Sequence, residues 1–94
     1  MDGFEWDEDK RQRNLAERGV DFRLAAGIFR NFVLEAADER ADYGEVRYRA
    51  LGRVVDEHFV VVYTWRGTNR RIISAWRIGE DGRRRYQAVL AART

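Results

Sequence analysis

The stretch VVVYTWRGTNRRIISAWR, residues 60–77, decides how this chain is read. Two runs rich in β-branched residues flank RGTN, whose Gly67 and Asn69 are turn formers, so the stretch predicts a β-hairpin. Successive side chains of a strand point to opposite faces. In HFVVVYTWR, His58, Thr64 and Arg66 share one parity and Phe59, Val61, Tyr63 and Trp65 the other. In RRIISAWR, Arg71 and Arg77 fall with Ile73 and Ala75, opposite Ile72, Ser74 and Trp76. One parity of the hairpin is therefore expected to build a core, with Trp65 inside it, and the other to carry arginines outward.

Upstream of the hairpin, the same period of two begins at Glu45. Val46, Tyr48 and Ala50 face one way, and Glu45, Arg47, Arg49 and Arg53 face the other. Residues 45–78 thus predict an antiparallel meander with one apolar and one charged face, covered on one side only. Upstream, FVLEAADERADYG reads as a short edge strand and a loop. DFRLAAGIFRNF predicts a helix capped by Asp21, with Phe22, Ala25, Ala26 and Phe29 at the spacing of a buried stripe. WDEDKRQRNLAERGV predicts an earlier polar helix, capped by Asp7 and ended by Gly19, with Trp6 anchoring it to the body. Beyond Gly79 and Gly82, RRRYQAVLAART predicts a terminal helix with Tyr86, Val89 and Leu90 on its apolar stripe. The expectation is a single α+β domain over residues 1–94: about four antiparallel strands, two N-terminal helices and a C-terminal helix, the helices packed on one sheet face.

Composition narrows the chemistry. With no cysteine, no proline and only His58, the chain has no disulfide framework, thiolate metal site or histidine cluster, and no cofactor is expected. The longest apolar run, FVVVY, is far too short to span a membrane, and the acidic start does not read as a signal peptide. A soluble, cytoplasmic protein without a membrane partner is expected. The formal charge of +2 hides an asymmetry: residues 1–45 carry 7 basic and 12 acidic side chains, residues 46–94 carry 11 basic and 4 acidic. The second half would attract phosphate. Lys10 is the only lysine, so the later cations are all arginines, suited to bidentate phosphate contacts and to stacking.

FEWDEDKRQRNLAERGVDF, followed by EVRYRALGR, VVVYTWRG and RRIISAW, resembles the BrnT family of bacterial type II toxins. The resemblance runs from about Phe4 to Tyr86, and its most specific parts are the W-D-x-x-K-x-x-x-N-x-x-x-x-G-V and R-I-I-S-A blocks. It implies a RelE-like fold, metal-independent cleavage of RNA, and a BrnA-type antitoxin that neutralises the toxin and binds operator DNA within the complex. Cleavage of this kind uses the neighbouring 2′-hydroxyl as nucleophile, so the protein must position the strand, stabilise developing charge and move protons.

Arginines suit the first two tasks. Arg71, which opens the R-I-I-S-A match, is the leading candidate, joined by Arg66, Arg77 and Arg47. Arg49 and Arg53 either track the RNA backbone or solvate an open face. Arginine does not release its proton at ordinary pH, which leaves Glu45, His58 and Tyr86 as acid–base candidates, Tyr86 also fitting a core role. Trp76 is a candidate for stacking a base. The chain departs from the family after R-I-I-S-A: where many members place a cation, a threonine-capped helix start and a glutamate, it has Trp76, Arg77, Gly79 and Gly82. An alternative is therefore a weakened or inactive module that binds antitoxin as a co-repressor.

Overall fold

The computed structural model describes residues 3–93; Met1, Asp2 and Thr94 lie outside the described residues. The predicted meander is present as β3 (Tyr48–Val54), β4 (Glu57–Arg66) and β5 (Asn69–Arg77). Gly67, at φ +59°, opens the two-residue turn joining β4 to β5, the conformation in which a side chain is disfavoured. The short edge strand is β2 (Leu34–Ala37), paired antiparallel to β3.

A fifth strand was not anticipated. Phe4–Trp6 forms β1, parallel to β5 with Glu5 opposite Arg71, giving the order β1-β5-β4-β3-β2. The α+β fold is as expected, with five strands in place of about four.

Both N-terminal helices form where the caps place them. α1 (Glu8–Arg18) starts with the Asp7 side chain accepting from the Lys10 N–H at 3.1 Å, and ends at Gly19, φ +69°. α2 (Phe22–Ala25) is capped by Asp21 but lasts only four residues before tightening into a 3-10 helix, Ala26–Arg30. Gly52 lets that helix approach the sheet: a Cβ there would sit 2.7 Å from Ile28 Cβ. Phe22, Ala25 and Ile28 close over Phe59, Val61, Tyr63, Ile72 and Ala75, all at most 1% exposed, and this is the core face. Trp6 meets Phe22 edge-on, so the expected anchor works from a strand.

α3 (Glu80–Ala92) corrects the expectation that the helices share one face. Its Tyr86 ring meets His58, which points away from the core face, so α3 covers one end of the opposite face. Gly79 is the N-cap and only Gly82 lies within the helix, whose first turn carries Glu80 and Asp81.

One irregularity reorders the arginines. Val62 pairs with Ser74 but Tyr63 pairs with Ile72, so Ile73 is an extra residue in β5. A bulge of one residue inverts parity beyond it. Arg71, opposite Thr64, consequently faces away from the core, and Arg77, opposite Phe59, lies on the core side.

Candidate functional site

At the hairpin end of the face opposite the core, α3 is absent and four segments bring charged groups into one row. β1 supplies Glu5, whose Oε2 is 3.0 Å from Arg71 Nη1 on β5. β4 supplies Thr64, beside Arg71, and Arg66. The segment leading into β3 supplies Glu45 and Arg47, 3.0 Å apart, with Arg66 Nη2 3.8 Å from the other Glu45 oxygen. Thr64 ties that segment down by donating its hydroxyl to the Val46 carbonyl at 2.7 Å. The charged side chains of the row are roughly a quarter to a half exposed, so solvent and a ligand both reach them, while Thr64 is buried beneath them.

The loop read as acidic and irregular holds Glu45 and Arg47 in place. Asp38 is buried; its N–H donates to the Arg47 carbonyl at 2.7 Å, and its carboxylate takes both prongs of Arg40 at 2.7 and 2.8 Å. That guanidinium, outweighing burial, holds the Asp38 carboxyl down at about 2. Tyr43 donates to Asp38 and carries the Arg47 guanidinium 4.1 Å from its ring centre.

The row gathers Arg71, Arg66, Arg47 and Glu45 from the sequence candidates and adds Glu5. Arg49 lies on the same face nearer its middle, opposite Val62, and Arg53 lies farther along, opposite His58. Neither has a carboxylate partner among the described residues.

The other candidates are elsewhere. Arg77, on the core side, donates to the Gly19 carbonyl at 3.1 Å and contacts Glu57 at 3.3 Å, tying the end of α1 to the sheet. His58 is 8% exposed beneath α3, its Nε2 3.0 Å from Gln87 Nε2. Burial first, then the charges of Arg53 and Arg83, lower its pKa and keep it neutral. Tyr86 is 1% exposed and donates its hydroxyl to the Phe32 carbonyl at 2.7 Å. His58 fastens α3 to β4, and the Tyr86 hydroxyl fastens it to the segment before β2.

Trp76 is half-buried, with the guanidiniums of Arg18 and Arg40 5.1 and 5.6 Å from its ring centre. Trp65, expected inside, is 45% exposed beyond the end of the core, where Arg70 lies 4.6 Å from its ring centre and 4.2 Å from that of Phe29. Sequence reading passed over Arg70, which the bulge turns to the core side together with Ile72. Burial and the bond to Glu35 push the Tyr63 hydroxyl beside it up to about 12.

The model of a family described as the ribonuclease toxin BrnT of type II toxin-antitoxin systems matches residues 6–82. The chain belongs to the BrnT family. A search of curated proteins finds no match. The BrnT match spans the meander, with Arg71, Arg66, Arg47 and Glu45, and ends before Tyr86. Among the described residues, no three His, Cys, Asp or Glu side chains cluster as a metal site would require, and no helix is long and apolar enough to cross a membrane.

Since Tyr86 sits outside the charged row, Tyr86→Phe is expected to cost about 1 kcal/mol of stability through the lost hydrogen bond while leaving the rate of RNA cleavage within twofold of the parent. Urea denaturation and a cleavage assay on the same preparation check both halves; a collapse in rate with stability retained would return Tyr86 to the chemistry.

Proposed function

We propose that this chain is a toxin that cuts RNA without a metal ion and thereby blocks translation, and that a BrnA-type antitoxin neutralises it. Operator DNA is engaged only through that antitoxin. The reading rests on membership in a ribonuclease toxin family together with one observation: the Glu5–Arg71 pair and the Arg66–Glu45–Arg47 cluster stand side by side on the accessible end of the sheet.

In this mechanism Arg71 and Arg66 receive the scissile phosphate and stabilise the charge that builds on its oxygens as the 2′-oxygen attacks. Arg47 holds Glu45, whose carboxylate takes the proton from the 2′-hydroxyl. The bond to the 5′-oxygen breaks, that oxygen takes a proton from solvent, and the products are a 2′,3′-cyclic phosphate and a 5′-hydroxyl end. Glu5 orients the Arg71 fork. The changes at Trp76 and Gly82, which favour an inactive module, both lie outside this row, and α3 forms despite its glycine.

The test is incubation of the purified protein with end-labelled single-stranded RNA in EDTA. Cleavage leaving 2′,3′-cyclic phosphate ends is expected; strict dependence on an added divalent ion, or 3′-hydroxyl products, would contradict the mechanism.

A further inference from the structure

A groove runs beside the charged row, between α1 and the part of β5 past the bulge. Lys10, Arg13, Glu17 and Arg18 line it from α1, and Ile73 and Ser74 from β5. The four helical residues recur at i, i+3, i+7 and i+8, which puts them on one stripe of α1. The wall is fixed in position: Asn14, on that stripe, donates to the Ala75 carbonyl at 2.9 Å and accepts from the Ala75 N–H at 3.3 Å, stitching α1 to the open edge of β5.

We propose that this groove is a second phosphate-binding subsite, holding the RNA strand on one side of the phosphate that Arg71 engages; the inference rests on the RNA-cleaving reading above. Three observations carry it. First, α1 sorts its cations. Arg11 is spent on Glu8 and Asp21, at 2.6 and 3.1 Å. Lys10, Arg13 and Arg18, all on the groove, have no carboxylate partner among the described residues. Three cations thus face one groove in the acidic half of the chain, with Glu17 the only acid among its lining residues.

Second, Arg18, which lines the groove, lies against the Trp76 ring, 5.1 Å from its centre. A guanidinium resting on an indole face keeps its in-plane N–H donors available to an oxyanion. Third, the groove continues the row. Because of the bulge, Ser74 lies two rungs from Arg71, opposite Val62 where Arg71 is opposite Thr64, roughly 7 Å at ~3.4 Å per strand residue, which is about two nucleotides at ~3.4 Å per stacked step. Its hydroxyl has no partner among the described residues and is free to donate. Ile73 is the one apolar lining residue, so the groove offers counter-ions rather than the dry centre that a protein partner would fill.

The test uses the intact protein and a labelled single-stranded RNA whose riboses are 2′-O-methylated, so that binding is read without cleavage. Lys10→Gln/Arg13→Gln/Arg18→Gln is compared with Arg23→Gln/Arg84→Gln/Arg85→Gln, which loses the same charge from exposed positions elsewhere; circular dichroism confirms that both fold. Fluorescence anisotropy across a salt series is expected to show the groove variant binding at least tenfold more weakly at low salt. Its slope of log K against log salt should be shallower by about 2, from three contacts at ~0.7 each, while the control keeps the parental slope to within one contact.

Equal losses in the two variants, or a parental slope in the groove variant, would overturn the subsite. If the parent cleaves unmodified RNA and the groove variant binds like the parent, the subsite alone fails. If binding depends on the groove but the parent leaves unmodified RNA intact, the cleavage reading fails and the subsite stands. Absence of RNA binding by the parent removes both.

Discussion

Replacing Arg71 with alanine is expected to slow RNA cleavage by about 10²- to 10³-fold, the effect of deleting one donor aimed at a charge that develops in the transition state. Arg71 is the cation best placed for this. It is central in the row, with Glu5 on one side and Thr64 on the other, and its guanidinium is about one-third exposed, reachable by a phosphate while held by a carboxylate at 3.0 Å. The same exposure makes the pair a small contributor to stability, within about 1 kcal/mol, so the variant should melt close to the parent. Arg71→Lys keeps the charge but loses the planar fork, and an intermediate rate is expected. Single-turnover cleavage beside thermal denaturation separates the two effects; an unchanged rate in the alanine variant would move the scissile phosphate elsewhere.

The second large effect is on stability. Asn14 is 7% exposed, and its amide holds three backbone groups: Nδ2 donates to the Val20 and Ala75 carbonyls at 2.8 and 2.9 Å, and Oδ1 accepts from the Ala75 N–H. β1 pairs with β5 only as far as Ile72, so beyond it the edge of β5 would lack partners but for this side chain. Asn14→Ala leaves those groups buried and unsatisfied, an expected loss of about 2–4 kcal/mol, or some 10–20 °C in Tm for a domain of this size. Asn14→Asp, of equal size but unable to donate when ionised, should lose nearly as much. A parental urea midpoint in both would show that the stitch between α1 and β5 is dispensable.

The sequence features that proved legible are those decided by neighbouring residues. Asp7, Asp21 and Gly19 mark helix ends because capping is local, and all three do so in the structure. The alternation along β3 and β4 places Tyr48, Ala50, Val61 and Tyr63 inside because each strand keeps its period from end to end. What was not legible depends on distant partners. β1 is three residues long and exists through pairing with a strand more than sixty residues later. Glu5, which that pairing brings to Arg71, therefore carries no signal of its own in the chain.

The bulge at Ile73 had the largest consequence. Counting by twos puts Arg71 and Arg77 on one face; one extra residue separates them, sending Arg71 to the accessible row and Arg77 to the carbonyl end of α1. Nothing in RRIISAWR announces this, since the extra residue is defined only by the pairing of β5 with β4. His58 and Tyr86 were chosen for their ionisable groups, and it is α3, crossing to the face opposite the core, that buries both.

In the proposed mechanism the chemistry belongs to the hairpin end of the face opposite the core. The most direct test compares Arg71→Ala with Arg77→Ala, two arginines of one strand that the bulge sends to opposite faces, in the same single-stranded RNA cleavage assay in EDTA. Loss of cleavage in the first, with cleavage kept in folded protein of the second, is the predicted result. Loss in the second with activity kept in the first would contradict this placement and put the site on the other side of the sheet.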